Sequence, residues 1–282
     1  MISVVIPVYN SGEYVVAAVK SAITQDVDKE IVVVDDASTD GCIEHLISYL
    51  DELSGDDNLD KAAKSGSYNG ETARLIYSRN ITGSYGMFGD ISVRIYRNDR
   101  NLGVADTRNL GVELAYGNYI AYLDADDIWE EGKLICQLNA LEKTGACLCN
   151  TARRMMTADG DMTEHIMHTP QKITLKMLKN TNYINCSSVI ITREAAKKYP
   201  MEHARDSHED YLTWLRLLAD VPYVIGIDEP YLLYRLSPDG KSRNKLKAAR
   251  MTYHTYCYAG YGRVKAFFML FAYVLYGIRR RR

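Results

Sequence analysis

Three short apolar runs limit what this chain can fold into: Ile2–Val8, Ile31–Val34 and Tyr119–Leu123 carry no charge, and the second and third stop abruptly at carboxylates. Runs this short and this rich in β-branched residues predict strands buried on both faces. Helical patterns lie between them. Val15, Val19, Ala22 and Ile23 share one helical face behind the N-cap candidates Asn10 and Ser11. Ile43, Leu46, Ile47 and Leu50 do the same behind Ser38, Thr39 and Asp40. A third strand, Ser92 to Tyr96, precedes a helix through Ala105 to Ala115. Alternation of this kind predicts an α/β fold, a parallel sheet with helices on both faces, whose ligands bind beyond the carboxyl ends of the strands. Asp35, Asp36, Asp124, Asp126 and Asp127 all stand just past strand ends, so the pattern draws them towards one crevice.

The remainder is less regular. Ala146 to Cys149, Ser188 to Thr192 and Tyr223 to Ile225, before Pro230, are predicted strands, and Asp210 to Ala219 a helix. The pattern lapses between Leu53 and Ile91, where Gly, Ser, Asp and Asn accumulate; residues 54–91 are expected to form a surface insertion. The six cysteines include no Cys-x-x-Cys pair, which fits reduced thiols in a cytosolic protein. Met1 to Pro7 has no basic n-region, as expected of a strand and not of a secretion signal. Charge is unevenly spread: from Tyr231 to Arg282 there are 12 Lys and Arg against one acid, while residues 1–230 hold 22 bases and 35 acids. An acidic body with a basic tail suggests an anionic partner for the tail.

The segment Leu123-Asp124-Ala125-Asp126-Asp127 carries the most chemistry. Three carboxylates within four residues repel one another unless a cation or hydrogen bonds compensate. Hard divalent cations, Mg²⁺ or Mn²⁺, favour such oxygen donors, often with phosphate oxygens completing the shell. A solvated acidic turn capping the next helix explains the same spacing, and spacing alone does not separate the two.

Four blocks in order, Val4-Val5-Ile6-Pro7-Val8-Tyr9-Asn10, Val33-Val34-Asp35-Asp36-Ala37-Ser38-Thr39-Asp40, Asn101-Leu102-Gly103 with Arg108-Asn109-Leu110-Gly111, and Gly117 to Asp127, resemble the motifs of family-2 inverting glycosyltransferases. A later block, His208-Glu209-Asp210-Tyr211-Leu212-Thr213-Trp214-Leu215-Arg216, resembles the family's acidic motif before a Trp-Leu-Arg helix. The resemblance implies a GT-A fold, a nucleotide-sugar donor (a UDP-sugar first) and a divalent metal. It implies that Pro7, Tyr9 and Asp36 line the base and ribose pocket, and that Asp124 lies near the ribose and metal. Asp126 would be a direct metal ligand and Asp210 the general base. Arg108 would bind a phosphate or form a salt bridge on the helix surface. Two departures stand out: Trp129-Glu130-Glu131-Gly132 where the family often has a proline, and the long 54–91 stretch.

On this reading residues 1–135 form a nucleotide-sugar half, 136–245 an acceptor and catalytic-base half, and 246–282 a basic, aromatic helical tail. The acceptor implied is a saccharide, lipid-linked by preference, in bacterial surface polysaccharide synthesis. A nucleotidyltransferase would need a Gly-rich loop after the first strand, which Pro7 to Gly12 lacks; a dinucleotide-binding motif is absent too. A non-catalytic scaffold would be expected to have lost one of Asp124, Asp126 or Asp210. In the tail, Ala266 to Ile278 is an apolar stretch of 13 residues with basic residues at both ends, shorter than the ~20 needed to span a bilayer. Residues 263–282 are therefore expected to lie on an anionic membrane surface at the cytoplasmic face, with no nucleic-acid partner; packing against the domain is the alternative.

Overall fold

Ile2–Val8 does form a strand, and the molecule is built around it. The computed structural model describes residues 1–54, 66–68, 70–81, 91–202, 204, 206–236 and 245–280. Its strands are β1 (Ile2–Val8), β2 (Lys29–Asp35), β3 (Gly66–Tyr68), β4 (Glu71–Ile81), β5 (Ile91–Asn98), β6 (Tyr119–Tyr122), β7 (Ile128–Trp129), β8 (Leu148–Met156), β9 (Met162–Met167), β10 (Lys172–Ile173), β11 (Ile190–Thr192) and β12 (Val224–Arg235). Its helices are α1 (Tyr14–Ile23), α2 (Cys42–Ser54), α3 (Val104–Leu114), α4 (Lys133–Thr144), α5 (Leu175–Leu178), α6 (Arg193–Lys198), α7 (Glu209–Asp220), α8 (Lys245–Tyr258) and α9 (Arg263–Arg280).

Among the described residues the strands form one mixed sheet in the order β10-β12-β8-β11-β6-β1-β2-β5-β4-β3, with β7 on β12 and β9 on β8. The centre is parallel: β1 pairs with β6 on one side and β2 on the other, and β2 with β5. The chain thus leaves β1 in one direction through β2 and returns on its opposite side through β6. A crevice opens where strand order reverses in this way. The two acidic segments expected beyond neighbouring strands are therefore separated by β1, whose own exit lies between them.

Side-chain alternation along the strands divides the core between the two faces of the sheet. Val4, Ile6, Ile31 and Val33 face α1, α2 and α4, while Val5, Ile120 and Tyr122 face α3 and the helices of the second half. α3 lies close against β1 because Gly111 has no side chain: a Cβ there would come within 2.3 Å of Val5 Cγ1.

The expected surface insertion needs correction. Glu71–Ile81 is a full sheet strand, antiparallel to β5, with Ala73, Tyr77 and Ile81 buried. Its inward positions include Ala, Tyr and Arg, so no continuous apolar run announced it; residues 55–65, 69 and 82–90 of the stretch lie outside the described residues. The predicted strand at Ala146 to Cys149 begins at Leu148 and runs on to Met156. Ser188 belongs to a short 3-10 turn, Cys186–Ser188, before β11. β12 does not stop before Pro230, because a register shift between Ile227 and Leu232 lets the proline sit where no ladder hydrogen bond is required. All six cysteines are unpaired. α8 and α9 both contribute to the body: Tyr256 and Ala266 are wholly buried in the same core as Tyr211 and Trp214.

Candidate active site

The crevice is built from strand exits. After β1 the backbone turns through Asn10, a left-handed residue at φ 47°, and after β2 through Ala37 at φ 63°. Hydrogen bonds join the two turns: the Asn10 amide donates to Ser38 Oγ at 3.0 Å, the Thr39 amide to Asn10 Oδ1 at 2.9 Å, and the Gly12 amide to Asp40 Oδ2 at 2.8 Å. One rim of the crevice is therefore a single cross-linked unit with Pro7 and the exposed Tyr9 at its edge.

Asp36 organises the adjoining loop. Its Oδ1 accepts from Asn98 Nδ2 and from the Leu102 amide, and its Oδ2 from the Gly103 amide, all at 2.8 Å. Gly103 stands at φ 89°, ψ 157°, open only to glycine, and leads into α3. Asp36 also lines a pocket of about 280 Å³ with Pro7, Tyr9, Asn101 and Thr107.

Beside it lies a larger cleft of about 600 Å³, on whose walls Pro7, Tyr9, Arg108, Asp124, Asp126 and Asp210 all stand. Asp124 is fixed by its amide, which donates to Ser187 Oγ at 3.0 Å, and by Arg108 Nη2, which donates to its Oδ1 at 2.5 Å. The other Arg108 terminal nitrogen reaches Glu209 Oε1 at 3.1 Å. One guanidinium thus joins the carboxyl end of β6 to the first turn of α7. Burial opposes its charge, but its neighbours, Asp124 foremost and Glu209 among them, outweigh burial and hold the guanidinium firmly protonated.

The acids differ in what surrounds them. Burial, and then the charge of Asp124, push Asp126 up to about 6. Burial, and then the charges of Asp126 and Asp124, push Asp127 well above the usual carboxylate range, and its Oδ1 accepts from the Arg235 amide at 3.0 Å while Oδ2 has no hydrogen-bond partner. Asp210 is raised by burial and by neighbouring Glu209, against the opposing charges of His208 and Arg108. A carboxylate raised in this way holds a proton better than an ordinary aspartate, as a general base requires.

Of the five acids expected in one crevice, Asp124 and Asp126 line the cleft and Asp36 the smaller pocket. Asp35 and Asp127 do not. Asp35 is held by Arg97 Nε at 2.6 Å and by the Ser38 amide, and Asp127 is turned onto β12. Arg108 is not a helix-surface salt bridge: α3 turns it inward, it is 3% exposed, and its carboxylate partners lie across the cleft floor. Several cleft residues went unassigned in the sequence. Glu209 sits in the recognised block but shows its link to Arg108 only in three dimensions. Arg235, whose Nε donates to the Asp126 carbonyl at 2.8 Å and whose guanidinium lies 4.3 Å from the Tyr14 ring, comes from a strand that pattern ended early.

Among the described residues no three His, Cys, Asp or Glu side chains converge as a metal cluster. What faces the cleft is a carboxylate pair, one member of it raised by burial and by the charge of the other. That donor set suits a hard divalent cation whose remaining ligands are water and phosphate oxygens.

A doubly wound sheet with an acidic cleft at its switch point is the architecture of GT-A enzymes, and comparison bears this out. The chain superposes on Staphylococcus aureus TarS 1–349 in complex with UDP-GlcNAc with a TM-score of 0.63, at 15% identity, over 97% of this chain and 71% of that one. It superposes on the mannosyltransferase PcManGT of Pyrobaculum calidifontis, in complex with GDP-Man and Mn²⁺, with a TM-score of 0.62, at 16% identity, over 96% and 68%. At such identities the likeness establishes the fold. In sequence the chain matches Glycosyl transferase family 2 over residues 3–90 and 77–199. It is 31% identical over 258 residues, 91% of this chain and 87% of the relative, to TuaG of Bacillus subtilis, a glycosyltransferase ascribed to teichuronic acid biosynthesis. It is 32% identical over 165 residues, 57% of this chain and 62% of the relative, to the Escherichia coli UDP-Glc:α-D-GlcNAc-diphosphoundecaprenol β-1,3-glucosyltransferase WfgD. The chain belongs to glycosyl transferase family 2 and is a glycosyltransferase.

Proposed function

We propose that the protein transfers a sugar, with inversion, from a nucleoside-diphosphate sugar to a hydroxyl of a lipid-linked saccharide in surface polysaccharide synthesis. One observation carries this reading: a single cleft is lined by the carboxylate pair Asp124 and Asp126 and by the half-buried Asp210, whose carboxyl is raised by burial and by Glu209. The relatives favour the substrates: WfgD by name uses UDP-Glc and a diphosphoundecaprenol acceptor, and TarS was solved with UDP-GlcNAc. A UDP-sugar is therefore the proposed donor, and the reaction takes place at the inner face of the cell membrane, where the chain is peripheral.

Pro7, Tyr9 and the loop held by Asp36 receive the nucleoside. Asp124 and Asp126 would hold Mn²⁺ or Mg²⁺, which when bound would supply Lewis-acid stabilisation of the charge on the departing diphosphate. Arg108 keeps Asp124 in register with the first turn of α7. Asp210 accepts the proton of the acceptor hydroxyl as that oxygen attacks the sugar C1 from the face opposite the leaving diphosphate. Inversion in one displacement needs no enzyme nucleophile, and Cys186, at the cleft wall, is unsuited to be one because burial pushes its thiol well up.

The test is a panel of nucleotide sugars presented to the purified chain with a lipid-linked saccharide, with Mn²⁺ or with chelator. Metal-dependent transfer from one UDP-sugar, giving a product of inverted anomeric configuration, is the expected result. Transfer undiminished by chelator, or retention at the anomeric carbon, contradicts it.

A further inference from the structure

The last helix presents two apolar faces and the body covers only one. Ala266, Met269, Leu270 and Tyr273 turn inward onto the core that holds Tyr211, whose ring lies 6.2 Å from that of Tyr273, and Tyr276 Oη meets Tyr183 Oη at 2.9 Å. The opposite arc carries Val264, Phe267, Phe268, Phe271, Val274 and Leu275, with the three phenylalanines 61%, 65% and 59% exposed. A surface helix in water normally places charge on its outer arc. Here Ala266 to Ile278 contains no charged residue on any arc. A contiguous exposed strip of large apolar side chains marks a contact surface. Among the described residues no helix is long and apolar enough to cross a membrane.

We infer that the outer arc of α9 is the surface by which this protein lies on an anionic lipid bilayer, the helix axis in the plane of the interface and Phe267, Phe268 and Phe271 entering the boundary between headgroups and acyl chains. The charge pattern selects this occupant. Arg263 and Lys265 are exposed at one end of the strip, and four arginines follow it in sequence at the other, Arg281 and Arg282 lying outside the described residues. Two copies of α9 laid side by side, parallel or antiparallel, would bring basic ends against basic ends. An anionic headgroup layer meets both ends favourably, and the apolar strip between them has the composition of an interfacial helix. The inner arc makes the arrangement consequential. Tyr273 packs on Tyr211, the residue after Asp210, so the membrane-facing helix braces the helix that carries the proposed base. This inference extends the proposed function and does not depend on it, because vesicle binding is measured without donor or acceptor.

The experiment is sedimentation of the full chain with phosphatidylglycerol-containing vesicles and with pure phosphatidylcholine vesicles, at low and high salt. Three forms are compared: the native protein, the pair Phe267→Ser and Phe271→Ser, and the pair Arg263→Gln and Lys265→Gln. The native chain is expected to bind the anionic vesicles and to release as salt rises. The phenylalanine pair should lower partitioning by roughly tenfold to a hundredfold. The basic pair should lower it severalfold at low salt and leave little difference at high salt. UDP affinity should be unchanged in both variants, since all four side chains lie away from the cleft. The unfolding midpoint should change little, because Phe267 and Phe271 are exposed and the contact of Lys265 with the body is a 5.2 Å approach of its Nζ to the Tyr261 ring at the surface. Binding by the phenylalanine pair equal to that of native protein overturns the assignment, as does failure of the native chain to bind anionic vesicles at low salt. A concentration-dependent dimer in light scattering that the phenylalanine pair abolishes would give the strip to a second copy instead.

Discussion

Arg108 shows how much one buried side chain settles in this enzyme. Two of its nitrogens are committed to two carboxylates that come from different halves of the chain, Asp124 at the end of β6 and Glu209 at the start of α7. Lysine has a single nitrogen and no fork, so Arg108→Lys keeps the charge but loses one of the two links. Arg108→Gln loses both charges' partner, and breaking a largely buried pair in this way costs on the order of 3 kcal/mol. Both variants should unfold at lower denaturant, Gln more than Lys, and kcat should fall in Lys while UDP affinity changes little. A selective loss of UDP affinity in the Lys variant would instead mark Arg108 as a phosphate ligand. At this scale the sequence carried the identities of the cleft acids well, because acids at strand ends are local facts. It could not separate Asp36, whose carboxylate holds the Leu102 and Gly103 amides, from a group free to meet ligand alone, nor show that Asp35 and Asp127 turn away. Those assignments depend on partners sixty or more positions distant.

The elements that make the cleft hold one another by close approach. α3 delivers Arg108 only because Gly111 lets it lie on Val5 of β1. Gly111→Ala should therefore force the helix outward and destabilise the fold by about 1–3 kcal/mol, the usual cost of overpacking, despite alanine's better helix propensity. Adding Val5→Ala removes the atom in the way, and the double variant should recover part of the lost stability in a denaturant titration. A Gly111→Ala variant as stable as native protein would mean that α3 is held less closely than this. Parallel strands and their helices were readable because continuous apolar runs and helical stripes are local patterns. β4 was not, since an antiparallel strand at the sheet's side carries Arg74 and Arg79 among its residues and buries only part of its length. β12 was cut short for a related reason: Pro230 signals an end, and the register shift that accommodates it belongs to the pairing with β8.

Across the whole molecule, polar groups buried far from solvent make stability depend on pH. Lys133 is fully buried beneath the sheet, its Nζ donating to Gln137 Oε1 at 2.7 Å and lying 4.1 Å from the Trp129 ring, and burial lowers it to about 7. Between that value and the unfolded 10.5, the unfolded chain binds the proton and the native one does not, so this residue makes stability rise with pH. Lys133→Met should stabilise the protein by roughly 1–3 kcal/mol near neutrality, with a gain that shrinks towards about pH 10 as the native penalty disappears. Thermal unfolding of both forms across that range checks the sign; a gain that grows with pH would contradict it. The proposed base follows the same logic in the other direction. Asp210 is raised by burial, so its ionised form is the costly one in the native state, and stability falls as pH rises through its titration.

Asp210→Asn brings these scales together. Removing a partly buried carboxyl whose ionised form the fold disfavours should raise the unfolding midpoint at pH values where native Asp210 is ionised. Donor affinity should stay within about twofold of native, while sugar transfer falls by about 10²–10⁴, the usual contribution of a positioned base. The decisive measurement is therefore UDP-sugar binding by calorimetry alongside single-turnover transfer, in native protein and in Asp210→Asn, at saturating Mn²⁺. Intact binding with transfer reduced by that factor is the predicted result. Transfer at the native rate, or loss of donor binding with turnover preserved, would contradict the assignment of Asp210 as the group that takes the acceptor's proton.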